Sequence, residues 1–356
     1  MKVAVIGIGA LSLSIVGQFA LSKCEVKFFN LDKEAKNNKN REITFFGVIK
    51  SKANFEQIVD GYDSLPDCEV IAITLAPSLY DLVFSQIIEY IRPNQKIIFF
   101  PASFWALILK NKIQLEKPNI LSSITVSEAV SYPWVCSLLT KDSIFVHGIK
   151  NHLELAVWPK RLANKELEFF NCYFSIFNLA KNFLETSLNN INMVLHPLPV
   201  LLNIGSIEKE ELAFRHYIDG ISLTVGKMME EIDKERLSIG NVFALNLTPT
   251  LDQLKSYYGD FNCNTIKQYV NRLDGPYPKV KGFGLKSRYV VEDVPCLLVP
   301  AKSLAEIGNI KTPMMDLCIE LANHANSKLY QKEGFNFENL GLGKMSLKQI
   351  SGIINN

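Results

Sequence analysis

Apolar positions follow two different rhythms along the chain. In the first half, short β-branched and aromatic runs alternate with longer stretches of mixed polarity. Lys2-Val3-Ala4-Val5-Ile6 is apolar at consecutive positions, as a strand buried on both faces requires. A Gly7-Ile8-Gly9-Ala10-Leu11-Ser12 segment follows, then a helical stretch to about Leu21. Glu25 to Phe29 and Val70 to Thr74 predict further strands, the latter ended by Ala76-Pro77, and Ser78 predicts the cap of a helix reaching Ile91. Lys96 to Phe100 predicts a strand stopped by Pro101, and Ile120 to Thr125, Ser143 to His147 and Leu153 to Trp158 predict three more. Strands that alternate with helices imply a mainly parallel sheet covered on both faces.

After about Thr186 the rhythm becomes helical. Helices are expected over roughly 197–202, 210–217, 222–237, 251–258, 265–273 and 312–330, the last with Thr312 at its cap and Pro313 in its first turn. Ser346 and Gln349 have capping-box spacing for a final helix. The polar stretch Ser187-Leu188-Asn189-Asn190 marks the boundary. The expected plan is a dinucleotide-binding α/β domain over 1–186 and an all-helical substrate and catalytic domain over 187–356.

Composition narrows the function. A chain of 356 residues suggests two domains, and 48% hydrophobic with 21% charged residues excludes a disordered chain. A net charge of +2 without like-charge blocks argues against nucleic-acid or membrane-surface partners. The seven cysteines show no metal or redox spacing, so neither disulfides nor a metal is expected, and a reducing, cytoplasmic setting follows. The apolar run from Val3 to Leu21 is broken by Gly7, Gly9 and Gln18, and the run from Ile97 to Leu109 is too short for a bilayer, so a soluble protein is expected. A homodimer is compatible with this composition.

The glycine segment carries the first chemical signal. Between a strand and a helix, Gly7 permits a tight turn, and Gly9 lets the backbone at Ala10 and Leu11 approach a pyrophosphate at the helix N-terminus. Ser12 replaces the usual third glycine, where a small residue packs helix on strand. The position that ordinarily holds a ribose-binding acid, at the end of the second strand, is Asn30. An amide does not repel a 2′-phosphate, and Lys33 stands close by, so the balance tilts toward NADP over NAD, with Asp32 as the opposing signal.

The second half carries a resemblance. The segment from Met193 through His196-Pro197-Leu198-Pro199 to Gly205 resembles the entry to the helical domain of opine dehydrogenases, of the octopine, nopaline and carboxyethyl-norvaline type. Met229 to Arg236 resembles their next long helix, and Arg288-Tyr289-Val290-Val291-Glu292-Asp293-Val294-Pro295, with Leu298-Val299-Pro300 and the stretch from Gly308 to Pro313, is similar to their most specific segment. Ser127-Glu128 and Tyr132-Pro133-Trp134 resemble a pocket loop of the family, and Ser137 stands where that loop would be followed by a basic residue. The resemblance implies an α/β plus all-α fold: a Rossmann-type domain followed by a helical domain, on a 6-phosphogluconate-dehydrogenase-like plan. It implies reductive condensation of an amino acid with a 2-oxo acid such as pyruvate, through an imine reduced by NAD(P)H. It also implies His196 as the proton-transfer group, Asp293 as its partner, Arg288 as the carboxylate clamp, and Asn203 and Glu128 as further substrate contacts.

The residues themselves bear on these roles. Prolines 197 and 199 suit a first helical turn, which puts His196 at the cap. The helix N-terminus disfavours imidazolium by about 0.3–1 kcal/mol, whereas a contacting carboxylate favours it by roughly 1–3 pK units. The carboxylate is the larger effect and leaves a histidine that titrates near neutrality. The planar guanidinium of Arg288 suits two-point binding of a carboxylate, although Glu292 lies at salt-bridge spacing from it. Glu230, Asp233 and Arg236 read as a solvated or interdomain charged face, Tyr257, Tyr258 and Tyr269 as core, and Cys136 as packing. Two other readings stay open: a reductase of the ketopantoate or glycerol-phosphate type, which would have a lysine where His196 stands, and a non-catalytic dinucleotide sensor.

Overall fold

The computed structural model describes residues 1–75, 79–209, 213–278, 280–282, 284–338 and 349–350. The expected caps at Ser78 and Ser346 and the start of the expected 210–217 helix lie outside these residues. The chain forms two compact units, divided between Thr186 and Ser187. Among the described residues, no helix is long and apolar enough to cross a membrane.

The first unit is built on an 11-stranded sheet. Its strands are β1 (Lys2–Gly7), β2 (Glu25–Asn30), β3 (Asn38–Gly47), β4 (Ser51–Ile58), β5 (Val70–Thr74), β6 (Lys96–Phe99), β7 (Thr125–Ala129), β8 (Trp134–Thr140), β9 (Ser143–Ile149), β10 (Leu153–Trp158) and β11 (Phe177–Leu179). Their spatial order is β11-β10-β7-β6-β5-β1-β2-β4-β3-β9-β8. The centre is parallel: β1 pairs with β2 on one side and with β5 on the other, and β6 and β7 continue in the same sense. The chain leaves β1 toward one edge and later crosses to the opposite edge, so the end of β1 lies at the switch point of the strand order, where open parallel sheets bind ligands. Val3, Ala4, Val5 and Ile6 are fully buried, as their unbroken apolar run requires.

Several local expectations change. The strand expected over 120–125 is shifted: Pro118–Leu121 is a helical turn, and the strand begins at Thr125, where register with β6 sets in. Strands β3 and β4 form an antiparallel pair that the polar opening Asn38-Lys39-Asn40-Arg41 conceals, because much of β3 is exposed. Strand β8 closes one edge against β9.

The second unit is helical in all its described elements save a lone bridge between Arg215 and Lys281. Its longest helix, Leu223–Val242, starts at a true cap, since Ser222 accepts the Val225 N–H at 3.2 Å. Phe214 and Arg215 are not helical, and of the described part of the expected 210–217 helix only His216 and Tyr217 are, in the turn His216–Asp219. Asp233 and Arg236 are not a solvated or interdomain face. Arg236 is fully buried and donates to Asp233, to the carbonyls of Leu188 and Thr248, and to Asn189. Asp233 in turn accepts from the backbone and hydroxyl of Thr250.

Candidate active site

The first candidate centre is the end of β1. A Cβ on Gly7 would lie 2.1 Å from Thr74 Oγ1 and 2.3 Å from Ser12 Oγ, so no side chain fits there. Gly9 has φ +78°, a left-handed backbone that favours glycine. Helix α1 (Gly9–Leu21) then begins with no side-chain cap at Ile8, and the first N–H groups of any helix lack intrahelical partners. Glycine at the crowded point, a left-handed turn and uncapped amides together suit a phosphate-bearing group at Gly9, Ala10 and Leu11. Ser12 does what its small size suggests: it is buried, donates to Ile8 O at 2.9 Å, and receives the Thr74 hydroxyl at 2.9 Å, tying α1 to β5.

At the end of β2, the Asn30 amide is buried and engaged. Nδ2 donates to Gln57 Oε1 at 3.1 Å, and Oδ1 accepts the Asp32 N–H at 3.1 Å. Gln57 also accepts from Arg41, and Arg41 is held to Asp142 at 3.1 Å. Asp32 Oδ1 accepts the Glu34 N–H, and Lys33 is exposed. This network from β4 and β3 joins residues far apart in sequence, which is why a linear reading missed it.

Glu128 lies on β7, fully buried, and accepts the Ala106 N–H at 3.3 Å and the Thr186 hydroxyl at 2.8 Å. Its carboxylate braces the start of the helix Trp105–Glu116. Tyr132 and Trp134 are core residues, Trp134 packing edge-on against Phe45. Ser137 is paired with His147 at 2.8 Å. The basic residue beside this loop comes from outside it: buried Lys150 donates to Ser131 Oγ at 2.5 Å and to Tyr132 O at 3.0 Å.

The second centre is in the helical unit. His196 occupies the N-cap position of the Pro197–Leu202 helix without a side-chain capping bond and is only 3% exposed. Its Nδ1 lies 2.7 Å from Asp293 Oδ2, and an ionised carboxylate there holds the ring proton on that nitrogen. The imidazole stacks on Tyr289 at 3.7 Å between ring centres, tilted by 9°. Nε2 lies 3.1 Å from the Tyr217 hydroxyl. Burial raises the Asp293 carboxyl, and the Arg288 guanidinium opposes that rise. Burial and the neighbouring Asp293 push Glu292 up to about 7, again against Arg288. The carboxylate therefore supports imidazolium less one-sidedly than the sequence suggests, because burial raises the acid itself.

Arg288 is exposed, its guanidinium 5.6 Å from the Tyr289 ring centre. Asn203 is half-buried at the C-terminal end of the Pro197–Leu202 helix. Its amide donates to Pro199 O at 2.7 Å and to Gly220 O at 2.9 Å, fixing the end of that helix. The structure thus joins His196 and Asp293 directly, sets Arg288 on the adjoining helical turn, and makes Asn203 a brace. No cluster of metal-ligating residues occurs among the described residues.

Comparison with known proteins bears on the family and the fold. Residues 179–326 match the model of the NAD/NADP octopine/nopaline dehydrogenase α-helical domain. An opine dehydrogenase from Arthrobacter sp. (strain 1C) is 30% identical over 292 residues, covering 82% of this chain and 80% of that protein. A solved octopine dehydrogenase, held with NADH and L-arginine, superposes with a TM-score of 0.73 at 16% identity over 99% of this chain and 98% of that one. A yersinopine dehydrogenase with NADP+ gives 0.72 at 13% identity, over 99% and 97%. These two likenesses speak for the fold, a Rossmann-type domain followed by a helical one. With the sequence identity to the Arthrobacter enzyme, the chain belongs to the opine dehydrogenase family, the NAD(P)-dependent oxidoreductases that act on CH–NH groups.

Proposed function

We propose that this protein condenses the amine of an amino acid with a 2-oxo acid such as pyruvate, and that His196, Asp293 and Arg288 carry the chemistry. The observation that bears most weight is the 2.7 Å contact between His196 and Asp293, with Arg288 five residues before the aspartate. Arg288 grips the oxo-acid carboxylate through two parallel N–H groups. As the amine nitrogen bonds to the carbonyl carbon, His196 gives a proton to the carbonyl oxygen. It then takes a proton from the nitrogen and passes it on, so that the C–O bond breaks with loss of water and a C=N bond forms. The oxygen thus leaves as water with one proton from the imidazolium and one relayed from the nitrogen, the C=N nitrogen keeping its remaining hydrogen as an iminium, and one titrating group serves for both transfers. Asp293 keeps Nδ1 protonated and the ring oriented throughout. Gly7, Gly9, Ala10 and Leu11 would hold the dinucleotide, which would supply a hydride to the C=N carbon.

Asn30 in place of an acid, with Lys33 nearby, supports NADP as the preferred cofactor. NAD(P)H oxidation with 2-oxo acids paired in turn with amino acids tests the reading. Oxidation is expected only when both substrates are present. Oxidation by the oxo acid alone would instead identify a simple reductase, and dinucleotide binding without turnover a sensor.

A further inference from the structure

The short helical turn His216–Asp219 holds His196 at two points. His216 Nε2 donates to the carbonyl of Leu195 at 3.0 Å, which fixes the backbone immediately before His196. The next residue, Tyr217, puts its hydroxyl 3.1 Å from His196 Nε2, the nitrogen that Asp293 leaves for chemistry. Tyr217 is itself buried, and its own carbonyl is held by Asn271. We propose that Tyr217 is a positioning residue for His196, accepting the Nε2–H of the imidazolium and so supporting the charged form that Asp293 supports from the other side.

The direction follows from the chemistry of the two forms. When His196 is neutral, the phenol donates to the Nε2 lone pair, an ordinary hydrogen bond. When His196 is charged, Nε2–H donates to the phenol oxygen, and charge-assisted bonds are about twice as strong. In a buried site, an imidazolium N–H without an acceptor is the costlier loss. The groups facing His196 are few. Asp293 is in contact, with Glu292 and Arg288 beside it. Tyr289 stacks on the ring, and burial keeps its phenol and that of Tyr217 protonated. His216 lies 6.1 Å away, held neutral by burial and by His196, so it adds no charge. The Tyr217 hydroxyl thus meets Nε2 on the side of the ring away from Asp293. A substrate oxygen that receives the proton takes the same position on Nε2, so the phenol acts in the substrate-free protein.

This inference rests on His196 being the proton-transfer group, and the test separates the two. In Tyr217→Phe, the His196 imidazole followed by NMR in the substrate-free protein should lose about tenfold in proton affinity, a fall of about one pH unit. The histidine limb of the kcat/KM profile, which reports free enzyme, should move by the same amount, while that of kcat, which reports the substrate complex, stays in place. A 3-fluorotyrosine at position 217 keeps ring and hydroxyl but is a weaker acceptor, so it should move the resonance the same way by less. An unmoved or raised His196 titration in both variants would overturn the role of Tyr217. Full turnover by His196→Ala would instead overturn the functional reading on which it rests.

Discussion

The side-chain amide of Asn30 donates to Gln57 at 3.1 Å while its oxygen accepts the Asp32 N–H at 3.1 Å. Both ends of the group that stands in the ribose-acid position are therefore held by the protein. A carboxylate in that place would bind ribose hydroxyls and repel a 2′-phosphate. Asn30→Asp should shift preference toward NADH, measured as the ratio of kcat/KM for the two cofactors. A wild-type enzyme that already strongly prefers NADH would contradict the NADP preference and point to Asp32.

Arg288 has two effects that one substitution separates. Arg288→Met should weaken use of the oxo acid by on the order of 2 kcal/mol or more, about 30-fold in kcat/KM, with cofactor binding intact. It should also let burial raise Asp293 and Glu292 further, since the guanidinium is what opposes it. The acid limb of the pH profile then moves upward. An unchanged constant for the oxo acid would remove Arg288 from the carboxylate site.

The buried pair of Asp233 and Arg236 serves the fold. Removing one partner leaves an uncompensated buried charge, so Arg236→Met should lower stability by about 3–5 kcal/mol, read from the denaturation midpoint. A change within experimental scatter would mean that water reaches Asp233.

His216 makes the helical unit acid-sensitive. Burial lowers its folded-state pKa from 6.5 to about 3, so its contribution to stability is present above pH ~6.5 and is lost as pH falls toward ~3. At about 1.4 kcal/mol per pK unit this is on the order of 5 kcal/mol. His216→Gln, which preserves a donor to Leu195 O, should flatten the acid side of the stability curve. An equally steep curve in the variant would place the acid sensitivity elsewhere.

The strand, glycine turn and helix at the N-terminus were legible in sequence because their pattern is local: an unbroken apolar run, two glycines and a small Ser12. The helical second half was legible for the same reason. The polar strand β3 was not, since its opening residues face solvent and carry no alternation. Asp233 and Arg236 look solvated in one dimension because their partners at 188, 189, 248 and 250 are distant in sequence. His196 and Asp293, 97 residues apart, were paired through family resemblance, and no spacing rule links them. Tyr217 and His216 carried no signal at all, because only the folded chain brings that short turn onto His196.

The central claim is that His196 and Asp293 act as one proton-transfer unit. The most direct measurement is a double-mutant cycle in kcat/KM across pH 5 to 10, a range of roughly the histidine and amine titrations. His196→Ala should cost roughly 10²–10⁴ with cofactor binding retained, and Asp293→Asn less, because the imidazole remains. The double variant should be little worse than His196→Ala alone, and the near-neutral limb should move or vanish in Asp293→Asn. Strictly additive losses, with that limb unchanged, would contradict the account.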